Sequence, residues 1–233
     1  MRFSAPLKPA RLIKRYKRFL ADVALDEGGE VTAHCPNPGS MMGLKAPGLR
    51  CWVSVHDDPR RKLKHTLELV EADGALVAMN TQNPNKIAEE AITAGRIAPL
   101  TGYASLRREV KYGENSRIDL LLEDPARAPS WVEVKNCHLM RTPGLAEFPD
   151  SVTTRGAKHL GELIKRVEAG DRAVQLFIVQ RPDCSRLSPA RDLDPVYAQA
   201  LEAAKSAGVE ILAYGCRIDL TGVELDAPME VVL

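Results

Sequence analysis

The apolar pattern of this chain changes character once, near residue 80, and that change constrains the fold more than any other feature. Before it, short apolar runs at Glu30–Cys35, Arg50–His56, Lys64–Glu71 and Ala75–Met79 alternate with Gly-Gly, Asn-Pro-Gly, Ala-Pro-Gly, Asp-Asp-Pro and Ala-Asp-Gly turns. Short strands punctuated this often predict a small β-barrel. After it, TQNPNKIAEEAITAGRI predicts a helix over Asn85–Ala94 with an Asn-Pro-Asn start and a Gly95 stop. Strands at Ser105–Tyr112, Arg117–Glu123 and Trp131–Asn136 follow, then a loop and a helix from Thr154 to Ala169. A strand over Ala173–Gln180, a helix from Asp194 to Ala207 and a strand over Val209–Tyr214 complete the pattern. That order describes a mixed sheet flanked by helices. The expected domains are 1–80 and 81–233.

Residues 11–25 fit two readings. Leu12, Ile13, Tyr16, Phe19 and Leu20 form a helical stripe, with Arg11, Lys14, Arg15, Lys17 and Arg18 around it. In a barrel the same segment is a long bent strand whose bulge disrupts simple alternation.

Composition excludes several classes. Lys and Arg number 32 against 31 Asp and Glu, so a globally basic coat protein and an acidic solvating chain are both ruled out. Any nucleic-acid surface has to be local. No apolar run reaches the roughly 18 residues of a spanning helix, and the N-terminus lacks the apolar core of a signal peptide, so a cytoplasmic protein without a membrane partner is expected. The five cysteines are scattered without a CxxC pair, which predicts reduced thiols. His34 beside Cys35 and His138 beside Cys137 lack the spacing of a zinc site.

The chemistry concentrates in Arg117-Ile-Asp-Leu-Leu-Leu-Glu-Asp and Trp131-Val-Glu-Val-Lys-Asn. On the second strand Glu133 and Lys135 lie two residues apart and project from one face, while Ile118, Leu120 and Leu122 share a face of the first strand, with Asp119 on the other. As hairpin neighbours, these strands bring Asp119 beside Glu133 with Lys135 one pleat away. Two such carboxylates repel unless a cation neutralises them, and hard oxygen ligands suit Mg²⁺ or Mn²⁺. A metal there activates water and stabilises charge on a phosphoryl oxygen, with Lys135 placed to position the nucleophile. The competing reading is a set of exposed carboxylates with Lys135 as an ion-pair partner.

Three further groups stand out. Glu90 lies three residues after the apolar Ile87, at the edge of a buried helix face, with Glu89 turned outward. In the later helix Arg155 and His159 form one turn of a polar face near a start that Thr153 or Thr154 can cap, a geometry suited to a phosphate. Lys14, Arg15, Tyr16, Lys17 and Arg18 interleave cations with an aromatic, as nucleic-acid-binding strands do. A solvated face or a core aromatic explains each of these groups as well. A second basic run, Arg60 to Lys64, falls in a predicted loop.

The segments LIKRYKRFLADV, AHCPNPGSMMGL, NPNKIAEEAI, SRIDLLL, WVEVKNCHL and FPDSVTTRGAKHLGEL, in this order, resemble the sugar fermentation stimulation protein A family over nearly the whole chain. The resemblance implies a mixed α/β chain: an N-terminal OB-like β-barrel followed by a PD-(D/E)xK nuclease-like αβββαβ domain, with DNA as the partner. It maps the superfamily's acids and lysine onto Asp119, Glu133 and Lys135, and an additional helix acid onto Glu90. The proline usual before the first acid is replaced by Ile118, and the family's PNTG reads Pro36-Asn37-Pro38-Gly39.

Three functions are therefore expected to compete. The first is a nuclease using Mg²⁺ or Mn²⁺ on DNA or RNA, with Glu90, Asp119 and Glu133 as metal ligands. The second is a non-catalytic DNA-binding regulator of sugar metabolism that retains the scaffold, and the third is an RNA-processing module whose barrel selects single strands. The carboxylate pair favours the first, because clustered carboxylates beside phosphates gain a pure binder nothing.

Overall fold

A computed structural model describes residues 1–112 and 116–233. Six strands, β1 (Lys8–Tyr16), β2 (Leu20–Leu25), β3 (Glu30–His34), β4 (Arg50–Val55), β5 (His65–Ala72) and β6 (Ala75–Ala78), form a sheet in the order β3-β2-β1-β4-β5-β6. Parallel pairing of β3 with β5, Ala33 opposite His65, closes β1 to β5 into a barrel. Small and branched side chains fill its interior, among them Ala10, Leu12, Val23, Ala33, Val53 and Leu67.

The helical stripe at residues 11–25 is not a helix, and the segment is not one bent strand. It is the β1–β2 hairpin, turned by Lys17 and Arg18 at φ 47° and 65°. The expected bulge is present, between Leu12 and Lys14. It explains the misleading period. Leu12 lies opposite the buried Val23 and Arg15 opposite the buried Ala21, so the residues facing the interior are three apart across the bulge, imitating a helical interval.

The second half is built from α1 (Asn83–Thr93), β7 (Ser105–Tyr112), β8 (Ser116–Asp124), β9 (Arg127–Cys137), β10 (Leu139–Thr142), β11 (Gly144–Phe148), α2 (Thr154–Glu168), β12 (Arg172–Val179), β13 (Cys184–Pro189), α3 (Pro195–Ser206), β14 (Glu210–Asp219), β15 (Gly222–Pro228) and β16 (Glu230–Val231). The main sheet runs β15-β14-β12-β9-β8-β7, with β12 parallel to both β9 and β14. A smaller sheet, β10-β11-β13-β16, replaces the loop expected between Asn136 and Thr154. Its strands are short, and although β10 and β11 form a hairpin, β13 and β16 join it from distant parts of the chain, so local periodicity does not reveal the sheet.

α1 covers one face of the main sheet over Leu120, Leu122, Val132, Val134 and Leu176. Trp52, Leu69 and Ala78 of the barrel enter the same core, so the barrel is held against the sheet by apolar burial. A side chain as fully buried as Leu69 contributes roughly 1.5–3 kcal/mol to that contact. On the other face, α2 and α3 pack Leu160, Leu163, Tyr197 and Leu201 over Ile118, Leu121 and Phe177. Asp194 joins these helices: its carboxylate accepts the Tyr197 N–H at the start of α3 and the N–H of Thr153, the α2 cap residue.

The expected shared face of Ile118, Leu120 and Leu122 does not form. Leu120 and Leu122 lie under α1, whereas Ile118 lies under α2. Opposite this step Glu109 takes φ 52°, a local kink in β7, and the change of face falls at Asp119.

Candidate active site

β8 and β9 part at Asp119. Their ladder runs toward this end only as far as Leu120 opposite Val132, and the Val134 N–H donates to Asp119 Oδ2 at 2.8 Å. The second oxygen, Oδ1, accepts from Asn85 Nδ2 at 2.8 Å. The fork of two strands and the first turn of α1 thus fix one carboxylate in place.

Glu133 lies on the α2 side of β9 and is almost fully buried. Its Oε1 receives the Lys135 ammonium at 2.6 Å and the His159 Nδ1–H, while Oε2 is buried with no hydrogen-bond partner among the described residues. Arg155 Nε donates to His159 Nε2 at 3.2 Å, which leaves Nδ1 as the ring nitrogen that donates to Glu133.

The two carboxyls are driven apart electrically. Burial, and then the charge of Glu133, push Asp119 up to about 6, against the opposing pull of the Val134 N–H, Lys135 and Asn85. Burial pushes Glu133 up as well, but the His159 hydrogen bond and the Lys135 charge outweigh it and hold the carboxyl below its ordinary value. Removing Lys135 leaves a buried charge short of its cation, a loss on the order of 3–5 kcal/mol for a buried pair.

Glu90 is not part of this cluster, which corrects the expected three-carboxylate set. Five residues along a helix turn about 140° from Asn85, and Glu90 meets the Met1 amino nitrogen at 2.7 Å and Lys86 at 4.0 Å. Glu89, one turn from Asn85, pairs instead with Arg108 at 3.1 Å. Among the described residues no three His, Cys, Asp or Glu side chains converge as a metal cage. Asp119 and Glu133 nevertheless fit a hard divalent cation: they are two hard oxygen donors, and the unpartnered Oε2 of Glu133 leaves buried acceptor capacity unused.

The basic residues separate into distinct roles. Arg15 points to the barrel end and gives Nη2 to the carbonyls of Asn37 and Gly39, both at 2.8 Å, so it braces a loop instead of meeting phosphates. Tyr16 donates to Asp22 at 3.1 Å, and Lys14 lies over one face of its ring and 3.4 Å from Asp22, so its hydroxyl is engaged within the hairpin. Lys17 and Arg18 are exposed on the hairpin turn, Arg18 also donating to the Pro38 carbonyl. Arg155 is exposed at the start of α2, but His159 is buried against Glu133, so its role is to position that carboxylate and not to touch a phosphate.

Sequence reasoning missed Asn85 and Asp150, and weighed His138 only as a zinc ligand beside Cys137. Asp150 accepts the Met41 N–H at 3.0 Å and lies 3.6 Å from His138 Nε2. Burial pushes its carboxyl up, yet His138 and the Met41 N–H outweigh that and hold it down at about 2. A side chain on Gly39 would put its Cβ 2.6 Å from Asp150 Oδ2. The signal was present in the PNPG and FPDSV segments, each polar and proline-bearing, but nothing local shows that they meet.

A closed OB barrel joined to a mixed sheet that carries an Asp and an E-x-K pair at a strand fork defines a two-part protein, an OB barrel followed by a mixed α/β domain with a paired-carboxylate site. The chain belongs to the sugar fermentation stimulation protein family. The SfsA N-terminal OB domain matches residues 13–79, and the sugar fermentation stimulation protein RE domain matches residues 82–222. A sugar fermentation stimulation protein homolog of Maricaulis maris is 61% identical over 233 residues, covering 100% of this chain and 99% of its own. One of Brucella ovis is 59% identical over 224 residues, covering 96% and 94%. The structure of Pyrococcus furiosus SfsA in complex with Ca²⁺ superposes with a TM-score of 0.90 at 30% identity, covering 100% of this chain and 98% of that one.

Proposed function

We propose that the chain is a DNA-binding phosphodiesterase that works with a divalent metal, Mg²⁺ or Mn²⁺, held by Asp119 and Glu133. Residues 1–80 act as the nucleic-acid-binding barrel and residues 81–233 as the hydrolytic domain. The observation that carries the reading is the buried, unpartnered Oε2 of Glu133 beside an Asp119 carboxyl raised to about 6 by burial and by that same charge. A pair so costly is retained where a cation relieves it. Pyrococcus furiosus SfsA forms a complex with Ca²⁺, which supports a hard divalent ion in this family.

When bound, the metal polarises a phosphoryl oxygen and lowers the pKa of a water. The chain's own groups do the rest. Asn85 and the Val134 N–H hold Asp119 in one rotamer, and His159 holds Glu133 in another. Lys135, whose side chain is largely sheltered beside Glu133, stabilises negative charge at the reacting phosphate and orients the attacking water. Lys17, Arg18 and Arg155 are exposed cations that track the backbone of the bound strand.

The test is incubation of the purified chain with labelled DNA in Mg²⁺, Mn²⁺ or EDTA. Cleavage is expected with metal, none with EDTA, and a loss of about 10²-fold or more in Lys135→Ala. Equal cleavage by parent and Lys135→Ala sinks the assignment. No cleavage with any metal leaves the non-catalytic binder as the better reading.

A further inference from the structure

We infer that the groove between the 36–39 loop of the barrel and the 148–153 loop holds one unpaired nucleotide of a DNA strand beside the carboxylate pair. The inference rests on the phosphodiesterase reading only for what happens next to that nucleotide. The groove has a volume of about 490 Å³, and Arg18, Pro38, Lys135, His138, Val152 and Arg155 are among its lining residues. Lys135 makes it continuous with Glu133, 2.6 Å away. Three cations from separate parts of the fold converge on it: Arg18 from the hairpin turn, Lys135 from β9 and Arg155 from α2. Asp150 lines the same groove and Lys135 is paired with Glu133, so the exposed cations offered to a phosphate are Arg18 on one side and Arg155 on the other.

The walls are fixed relative to each other. Arg18 holds the Pro38 carbonyl through Nε and Nη2 at 3.1 and 3.0 Å, and Arg15 holds the carbonyls of Asn37 and Gly39. Across the groove Asp150 takes the Met41 N–H, and Gly39 lies so close to Asp150 that no Cβ fits between them. The space is therefore preformed. It falls within the roughly 300–1,000 Å³ that accommodates one small molecule, enough for a base and its sugar but not for a base pair kept in its stack. A duplex has to give up a nucleotide to fill it, whereas a single strand or an unpaired site does not. At the lip, Val152 is 72% exposed, an apolar side chain among cations that a base face can cover.

The test is fluorescence anisotropy in EDTA with a labelled single-stranded DNA of about 12 nucleotides and a blunt duplex of the same length. The single strand is expected to bind about tenfold more tightly than the duplex. Val152→Glu and Arg18→Ala are each expected to lose about fivefold or more for the single strand, and Arg18→Ala to reduce the log–log salt slope by about 0.7. Arg60→Ala, outside the groove lining and paired with Asp58, controls for charge alone and is expected to change little. If Arg18→Ala fails to fold, the exposed Val152 carries the comparison. Equal affinity for both DNAs, parent-like binding by a folded Val152→Glu, or tighter binding of an RNA of the same sequence overturns the inference. Because the assay contains no free metal, a protein that never cleaves can still pass this test, and one that cleaves duplex DNA can still fail it.

Discussion

The amide of Asn85 donates to the carboxylate of Asp119 at 2.8 Å, so the first turn of α1 is coupled directly to the strand fork. The helix contributes an orienting amide where an additional carboxylate was expected, and Glu90 faces away. Replacing Asn85 with Ala frees Asp119 to rotate while leaving its charge. Outer partners of this kind alter metal affinity about 10–100-fold. Titration of Mn²⁺ by calorimetry is expected to show a weakening in that range for Asn85→Ala, and parent-like affinity would remove Asn85 from the site.

Asp119 carries a folded pKa of about 6 against an ordinary 3.8, so the folded state binds this proton more tightly than the unfolded chain. The proton contributes stability that is fully present below about pH 4 and is lost as pH rises through about 6, a total on the order of 3 kcal/mol. Urea unfolding between about pH 4.5 and 7.5 is expected to show the metal-free parent weakening across this window and Asp119→Asn changing less. Parallel curves would contradict the raised pKa.

The large features of the fold are readable from the chain because they rest on local signals. Pro84 at the start of α1, Thr153 and Asp194 as caps, and the alternation of β9 each act within a few residues. Asp119, Glu133 and Lys135 are legible for the same reason: two adjacent strands place them. Arg15 is not, because a bulge, invisible in composition, turns it from the outer face to the barrel end. Glu90 is not, because a helix edge borders two neighbours and only packing decides which of them a side chain meets. The Asp150–Met41 contact spans 109 residues, beyond the reach of any periodicity.

The reassigned cations give a direct contrast. Arg15→Ala strips a donor from two carbonyls of the 36–39 loop and is expected to cost about 1–3 kcal/mol of stability. Lys17→Glu removes an exposed cation and is expected to leave unfolding unchanged while flattening the salt dependence of DNA binding by about 0.7 or more in slope. Unfolding in urea and binding at several salt concentrations separate the two. The reverse assignment of effects would restore Arg15 as a phosphate contact.

His159 braces Glu133 from the α2 side, and its removal leaves a buried carboxylate with Lys135 as its one remaining partner among the described residues. His159→Ala is expected to destabilise the fold by about 1–3 kcal/mol. His159→Asn, which can still donate to Glu133 Oε1, is expected to recover part of that loss. Urea unfolding of the two variants reads the difference, and equal losses would show that ring volume, not the hydrogen bond, is what the site requires.

The central claim, that Asp119 and Glu133 form a divalent-metal site without Glu90, is tested most directly by thermal melting with Mn²⁺. A metal that binds only the folded pair raises stability by RT ln(1 + [L]/Kd), about 2.7 kcal/mol at a hundredfold excess over Kd. The parent and Glu90→Gln are expected to melt higher with Mn²⁺ by similar amounts, while Asp119→Asn and Glu133→Gln lose most of the shift. A parent melting curve that does not move up to about millimolar Mn²⁺, or a shift that vanishes in Glu90→Gln as completely as in Asp119→Asn, would contradict the claim.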